Sequence, residues 1–230
     1  MKTRRINMPE LDLNSIVQYP FSTNQYMQEE YPKKQIFLHH TAGNHDPFGV
    51  FRWWEANQER VAVCAVIGGR PDANDNWRDG EIVQGYSSKF WAYHLGLRQA
   101  VFAQFGVPYQ PLDKTSIAIE ICNWGELRYI NGKFYTYVNT IVPRDQVVQL
   151  NYRGSQYFHA YTDAQIESVR QLLVYWGNRY NIPLTYNPNM FEVNAKALAG
   201  MPGVWTHTSV RYDKNDLAPQ PKLLAMLQSL

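Results

Sequence analysis

Short apolar runs and one long amphipathic stretch alternate along the chain, and their spacing predicts strands and helices in mixed order. Lys34 to Leu38 reads as a buried strand ending at His39. Asp46-Pro47 then starts a helix, with Asp as N-cap and Pro in the first turn, and Val50, Phe51 and Trp54 share one face of it. The run Val61–Ile67 has strand length and is closed by Gly68-Gly69; Asp79-Gly80 turns the chain into a short strand at Glu81–Gln84. Residues 115–122 are apolar on both faces, as an interior strand requires. Asn131-Gly132, between two strand-like runs in 127–138, predicts a hairpin. Residues 139–161 form a Tyr-rich connection with no clear period.

The clearest helix is Thr162 to Tyr180. Thr162 and Gln165 form a capping box, and Ile166, Val169, Leu172, Leu173 and Trp176 make one apolar stripe. Gly203–Thr206 is a short strand and Lys222–Leu230 a terminal helix. Residues 1–33 are polar and broken by Pro9, Pro20 and Pro32, so they read as an N-terminal extension. The expected architecture is α/β, a central mixed β-sheet flanked by helices. A single domain spans 34–230, with a hairpin-containing insertion at about 126–161.

Composition narrows the function. With 22 basic and 20 acidic residues in 230 the net charge is +2, which argues against a nucleic-acid surface. The 16 Tyr, 10 Phe and 7 Trp are an unusual aromatic content; core packing accounts for most of them, but aromatic faces also stack on sugar rings, which is compatible with a glycan-containing substrate. The two cysteines, Cys64 and Cys122, lie in apolar runs and read as free buried thiols. Neither a signal peptide nor a membrane span is expected, since no apolar segment follows the basic Met1–Arg5.

The polar residues at the ends of the apolar runs carry the chemistry. His39 and His40 are adjacent, so they point to opposite sides of an extended chain. One can hold a metal that the other cannot share, and strand parity does not say which. Glu120 sits within Ile117–Ile121, flanked on its own face by the small Ala118 and Cys122. A carboxylate there is either a buried ion-pair partner or a base facing a cavity. His207, Lys214 and Asp216 follow a strand closely and would by themselves read as a solvated loop. Together the set supplies two imidazoles and a carboxylate, enough to hold zinc with one position open for water. A second carboxylate and a lysine remain as proton carrier and charge stabiliser.

These motifs, in this order, resemble the zinc N-acetylmuramoyl-L-alanine amidases, a group that includes phage lysozyme-type amidases and peptidoglycan recognition proteins. The matching pieces are Leu38-His39-His40-Thr41-Ala42, Val61–Ile67 with Asp79–Gln84, Trp91–Gly96, Ser116–Glu120, Thr206-His207 and Lys214-Asn215-Asp216. The resemblance covers roughly 36–217. It implies that His39, His207 and Asp216 hold Zn2+, that Glu120 and Lys214 are catalytic, and that His94 lines the substrate cleft. Some relatives have Cys as the third ligand, where this chain has Asp216. Some also carry a catalytic Tyr near the position of Val63, which shifts the proton-transfer burden to Glu120. The resemblance further implies a monomeric hydrolase acting on peptidoglycan or muropeptides. With no signal peptide and no separate wall-binding module expected, the reading is a phage-type endolysin made in the cytoplasm and released to the wall by another factor. The alternatives are a cytoplasmic muropeptide-recycling amidase and a recognition module that binds without cleaving. The insertion at 126–161 has no counterpart in the family pattern; it is either a wall of the groove or a packed addition.

Overall fold

The computed structural model describes residues 10–57 and 59–230. The elements in chain order are β1 (Val17–Gln18), β2 (Gln35–His40), α1 (Pro47–Glu55), β3 (Ala65–Ile67), β4 (Ile82–Gln84), α2 (Gln99–Gln104), α3 (Leu112–Thr115) and β5 (Ser116–Ile121). They continue with β6 (Arg128–Ile130), β7 (Lys133–Tyr135), β8 (Ile141–Val142), β9 (Val147–Tyr152), β10 (Ser155–His159), α4 (Asp163–Tyr180), α5 (Ala195–Leu198), β11 (Gly203–Thr206) and α6 (Pro221–Gln228).

A six-stranded sheet in the order β1-β4-β3-β5-β2-β11 forms the centre. Only the β3–β4 pairing is antiparallel; the others are parallel, so the sheet is mixed as expected. Every residue of β2 is buried, and β5 is buried from Ser116 to Ile119 and again at Ile121. These strands lack the polar alternation of a half-exposed strand because the sheet is covered on both faces. Parallel strands end on the same side, so β2, β5 and β11 deliver their following residues to one edge. The register places His39 beside Glu120, and Thr206 beside Leu38.

Helix α4 begins as the capping pattern requires: Thr162 Oγ1 accepts from Gln165 N at 2.9 Å and Thr162 N donates to Gln165 Oε1 at 3.1 Å. The Gln165 amide also donates to the Cys122 carbonyl at 2.7 Å, fastening the helix to the end of β5. Val169, Leu172, Leu173 and Trp176 are buried as its stripe predicts. Asn181 ends it in the left-handed conformation. Both cysteines are free and buried.

Three segments depart from the sequence reading. Val61–Ile67 pairs as a strand only at Ala65–Ile67, although all but Val61 are buried. The segment read as an N-terminal extension is, in its described part, joined to the sheet. There β1 pairs with β4, Phe21 is buried, and Tyr19 stacks on Phe51 of α1 with centroids 4.9 Å apart. Residues 139–161 hold β8, β9 and β10 rather than an irregular connection. The predicted β6–β7 hairpin is present, with Asn131 and Gly132 both at positive φ, and β8 extends it to three strands over a small core of Leu127, Phe134 and Val142. The β9–β10 hairpin turns at Arg153-Gly154, again with positive φ at both positions; arginine there gives no turn signal.

Candidate metal centre and cleft

At the carboxyl edge of β2 and β11 the structure brings together His39, His207 and Asp216. His39 Nδ1 lies 3.1 Å from His207 Nδ1 and 3.3 Å from Asp216 Oδ2, and His207 Nδ1 lies 3.2 Å from the same oxygen. A tetrahedral zinc with bonds of about 2.0–2.1 Å has ligand-to-ligand edges of about 3.3 Å, so the triangle has the size the ion needs.

The surrounding hydrogen bonds settle which ring atoms carry protons. Ser116 Oγ donates to the Leu112 carbonyl at 2.6 Å, so its only hydrogen is used. It must therefore accept from His94 Nε2, 2.8 Å away. His94 Nδ1 is then a bare acceptor and takes the hydrogen of His39 Nε2 at 3.1 Å. His207 Nε2 donates to the Leu95 carbonyl, also at 3.1 Å. Both Nδ1 atoms of the triad are thus left as lone pairs, aimed at each other and at a carboxylate. Three acceptors within 3.3 Å, with no proton between them, repel unless a cation sits among them. The residues present fit zinc.

Burial agrees with a neutral His39. It lowers the His39 pKa to about 4, and puts that of His94 well below the ordinary value, with the neighbouring histidines adding to the effect. Burial would raise the Asp216 carboxyl, but contact with His207 and His39 outweighs it and leaves a carboxylate.

Glu120 borders the cleft in front of this group. Among the described residues no side chain pairs with it, so the ion-pair alternative has no partner. Burial and then Asp216 push its carboxyl well above the usual range, while Lys214 pulls it down. The Lys214 charge is therefore felt at Glu120, and it is felt at His39 too. The loop carrying Lys214 and Asp216 is braced from both sides. Thr208 Oγ1 lies 3.2 and 2.8 Å from the carbonyls of Lys214 and Asp216. From the β9–β10 turn, Arg153 donates to Asn215 Oδ1 at 3.1 Å and to the Tyr212 carbonyl.

The cleft has a volume of about 1090 Å³. Its lining includes the triad, Glu120, Lys214, Val63 and His94, and also the aromatic residues Trp53, Tyr93, Trp124 and Tyr137. Trp53 and Tyr137 are 66% and 63% exposed. The segment after β5 and the insertion together provide Trp124, Glu126, Arg128 and Tyr137, so the insertion does form part of the wall. His40 takes no part in the triad: its Nδ1 lies 2.8 Å from the Tyr161 hydroxyl. His94 reaches the cleft, but both its ring nitrogens are engaged with His39 and Ser116. Sequence reasoning quoted Ser116 and Leu95 only as motif members, without these contacts, and missed Asp113. They contribute a hydroxyl, a backbone carbonyl and a carboxylate that accepts from two backbone amides, and no motif marks such contacts.

Two histidines and an aspartate placed so that they could hold a metal ion, with a glutamate beside them, stand at the carboxyl edge of the parallel strands. The family description N-acetylmuramoyl-L-alanine amidase matches residues 29–221, and the chain belongs to that family. Among curated proteins none matches by sequence. Solved structures agree on the fold. The E. coli N-acetylmuramyl-L-alanine amidase AmiD, in complex with the substrate anhydro-N-acetylmuramic acid-L-Ala-D-gamma-Glu-L-Lys, is 19% identical. That match has a TM-score of 0.50 and covers 94% of this chain and 65% of AmiD. The Staphylococcus aureus hydrolase AmiA, in complex with its ligand, is 12% identical, also at a TM-score of 0.50, over 96% of this chain and 83% of AmiA. Among the described residues no helix is long and apolar enough to cross a membrane.

Proposed function

We propose that the chain is a zinc-dependent peptidoglycan amidase that hydrolyses the amide between N-acetylmuramic acid and the L-alanine of the stem peptide. The observation that carries this reading is the triangle of proton-free ligand atoms on His39, His207 and Asp216, beside the unpaired Glu120, in a chain of this family. A zinc ion held by the three would acidify a water and polarise the scissile carbonyl. Glu120 takes the proton of the attacking water and returns it to the leaving amide nitrogen. Burial raises its carboxyl and so strengthens it as the base towards that water, and such proton transfer is worth about 10²–10⁴-fold. Lys214 places positive charge where the carbonyl oxygen becomes anionic, a contribution of roughly 2.7–4 kcal/mol. The contacts of the outer Nε2 atoms with His94 and Leu95 leave Nδ1 of His39 and of His207 as the atoms that would face the ion.

Exposed Trp53 and Tyr137, with Tyr93 and Trp124, give the cleft flat apolar faces of the kind sugar rings stack on. This supports a sugar-bearing substrate; a phage-type endolysin acting on wall glycan is the reading proposed, and a recycling enzyme for soluble muropeptides, which carry the same rings, is the alternative. Purified protein should contain one zinc per chain and release L-alanine amino termini from purified wall, faster per bond than from soluble muropeptide. Zinc binding without such release would mark a recognition module, and neither would overturn the proposal.

A further inference from the structure

We propose that Asp113 is a positioning residue that sets the tautomers of both histidines of the triad through one dipeptide, His94-Leu95. Asp113 lies on α3 and is not among the cleft-lining residues. Its Oδ1 accepts two consecutive backbone N–H groups, from His94 at 2.9 Å and from Leu95 at 3.0 Å. Two adjacent amides converging on one oxygen fix the direction of the peptide between them. That dipeptide then supplies the outer partner of each triad histidine: the His94 ring for His39, and the Leu95 carbonyl for His207. Arg211 Nη1 also donates to the Leu95 carbonyl, at 3.3 Å, which leaves a lone pair for His207.

The same turn of α3 anchors the far end of the relay. The Leu112 carbonyl takes the Ser116 hydroxyl hydrogen and so obliges Ser116 to accept from His94. Neighbouring residues thus hold both the backbone and the ring of His94. The arrangement is costly to maintain, because the Asp113 side chain is only 17% exposed and no lysine or arginine pairs with it among the described residues. Its nearest cationic candidate is His94 Nε2 at 3.9 Å, on a ring that burial keeps neutral. The two amides are what the carboxylate is there to hold.

Zinc-site consequences rest on the proposed function, but the tautomers can be read without metal. Imidazole ¹⁵N shifts of the metal-free protein should show His39 and His207 both carrying a hydrogen on Nε2, whatever proton enters the emptied triangle at Nδ1. In Asp113→Ala the two should become mixtures, and the zinc dissociation constant, measured by chelator competition, should rise about 10–100-fold. Asp113→Asn keeps the accepting oxygen and should restore both readouts. Ser116→Ala should disturb His39 and leave His207 unchanged, a separation that a general loss of structure would not produce; it also serves if Asp113→Ala does not fold. A folded Asp113→Ala with wild-type tautomers and zinc affinity would overturn the proposal, as would Ser116→Ala altering both histidines equally. Wild-type protein with the Nε2–H forms but no zinc affinity would remove the zinc reading alone.

Discussion

Zinc should stabilise the fold strongly, and through His39 but not His40. The ligands His39 and His207 are 168 positions apart in sequence, so an unfolded chain does not hold them together and the ion binds the native state selectively. At free zinc a thousand times the dissociation constant, such linkage contributes about 4.1 kcal/mol. For a chain of this size each kcal/mol moves Tm by about 2–4 °C, so zinc should raise Tm by roughly 8–16 °C. His39→Ala removes one corner of the triangle and should abolish that shift. His40→Ala removes the imidazole partner of the buried Tyr161 hydroxyl and leaves it only the Ala218 backbone, at a cost of about 1–3 kcal/mol. It should lower the baseline Tm and keep the zinc increment. The assay is thermal unfolding of chelator-stripped protein with and without added zinc, with metal content measured on the same samples. Loss of the increment in His40→Ala with its retention in His39→Ala would refute the assignment, and so would a wild-type Tm indifferent to zinc.

Three further outcomes follow from the cleft. Lys214→Ala should keep zinc content and lose about 10²–10³-fold in kcat, read from single-substrate kinetics on zinc-loaded protein. Arg153→Ala should free the loop holding Asp216 and weaken zinc binding, although Arg153 touches no ligand atom; competition titration checks it. For Glu120 the linkage runs toward acid. Its folded pKa is raised, so its contribution to stability is present below the unfolded carboxylate range and is lost as pH rises through the folded value. Metal-free Glu120→Gln, which mimics the acid form, should therefore melt above wild type at pH 8, with the difference fading towards pH 4.

Legibility in the sequence followed the physics of each signal. Helix α4 could be read because its cap and its stripe are local properties of contiguous residues. The interior strands β2 and β5 could be read because burial on both faces leaves an unbroken apolar run. Strand β9 was missed because Tyr-rich surroundings and the Arg153-Gly154 turn mask it, although Val148, Leu150 and Tyr152 are half-buried and alternate with exposed Gln149 and Asn151. Residues 10–33 misled because polar, proline-broken chain can still lay one aromatic, Phe21, into a core. At the site, ordered motifs pointed to the triad and Glu120. Strand parity could not choose between His39 and His40; the structure does, by turning one toward Asp216 and the other toward Tyr161. The protons on the triad stayed hidden because they depend on a serine hydroxyl and a leucine carbonyl brought close only by the fold.

The most direct test of the central claim is the bond that is cut. Zinc-loaded protein and zinc-loaded Glu120→Gln would be incubated with an N-acetylmuramic acid–L-Ala–D-gamma-Glu–L-Lys substrate, and the products weighed by mass spectrometry. The account predicts two products from the wild type, the intact sugar acid and a tripeptide with a free L-alanine amino terminus. It predicts a rate about 10²–10⁴-fold lower from a Glu120→Gln protein carrying the same zinc. Cleavage at another bond, no cleavage by the zinc-loaded wild type, or equal rates from the two proteins would contradict it.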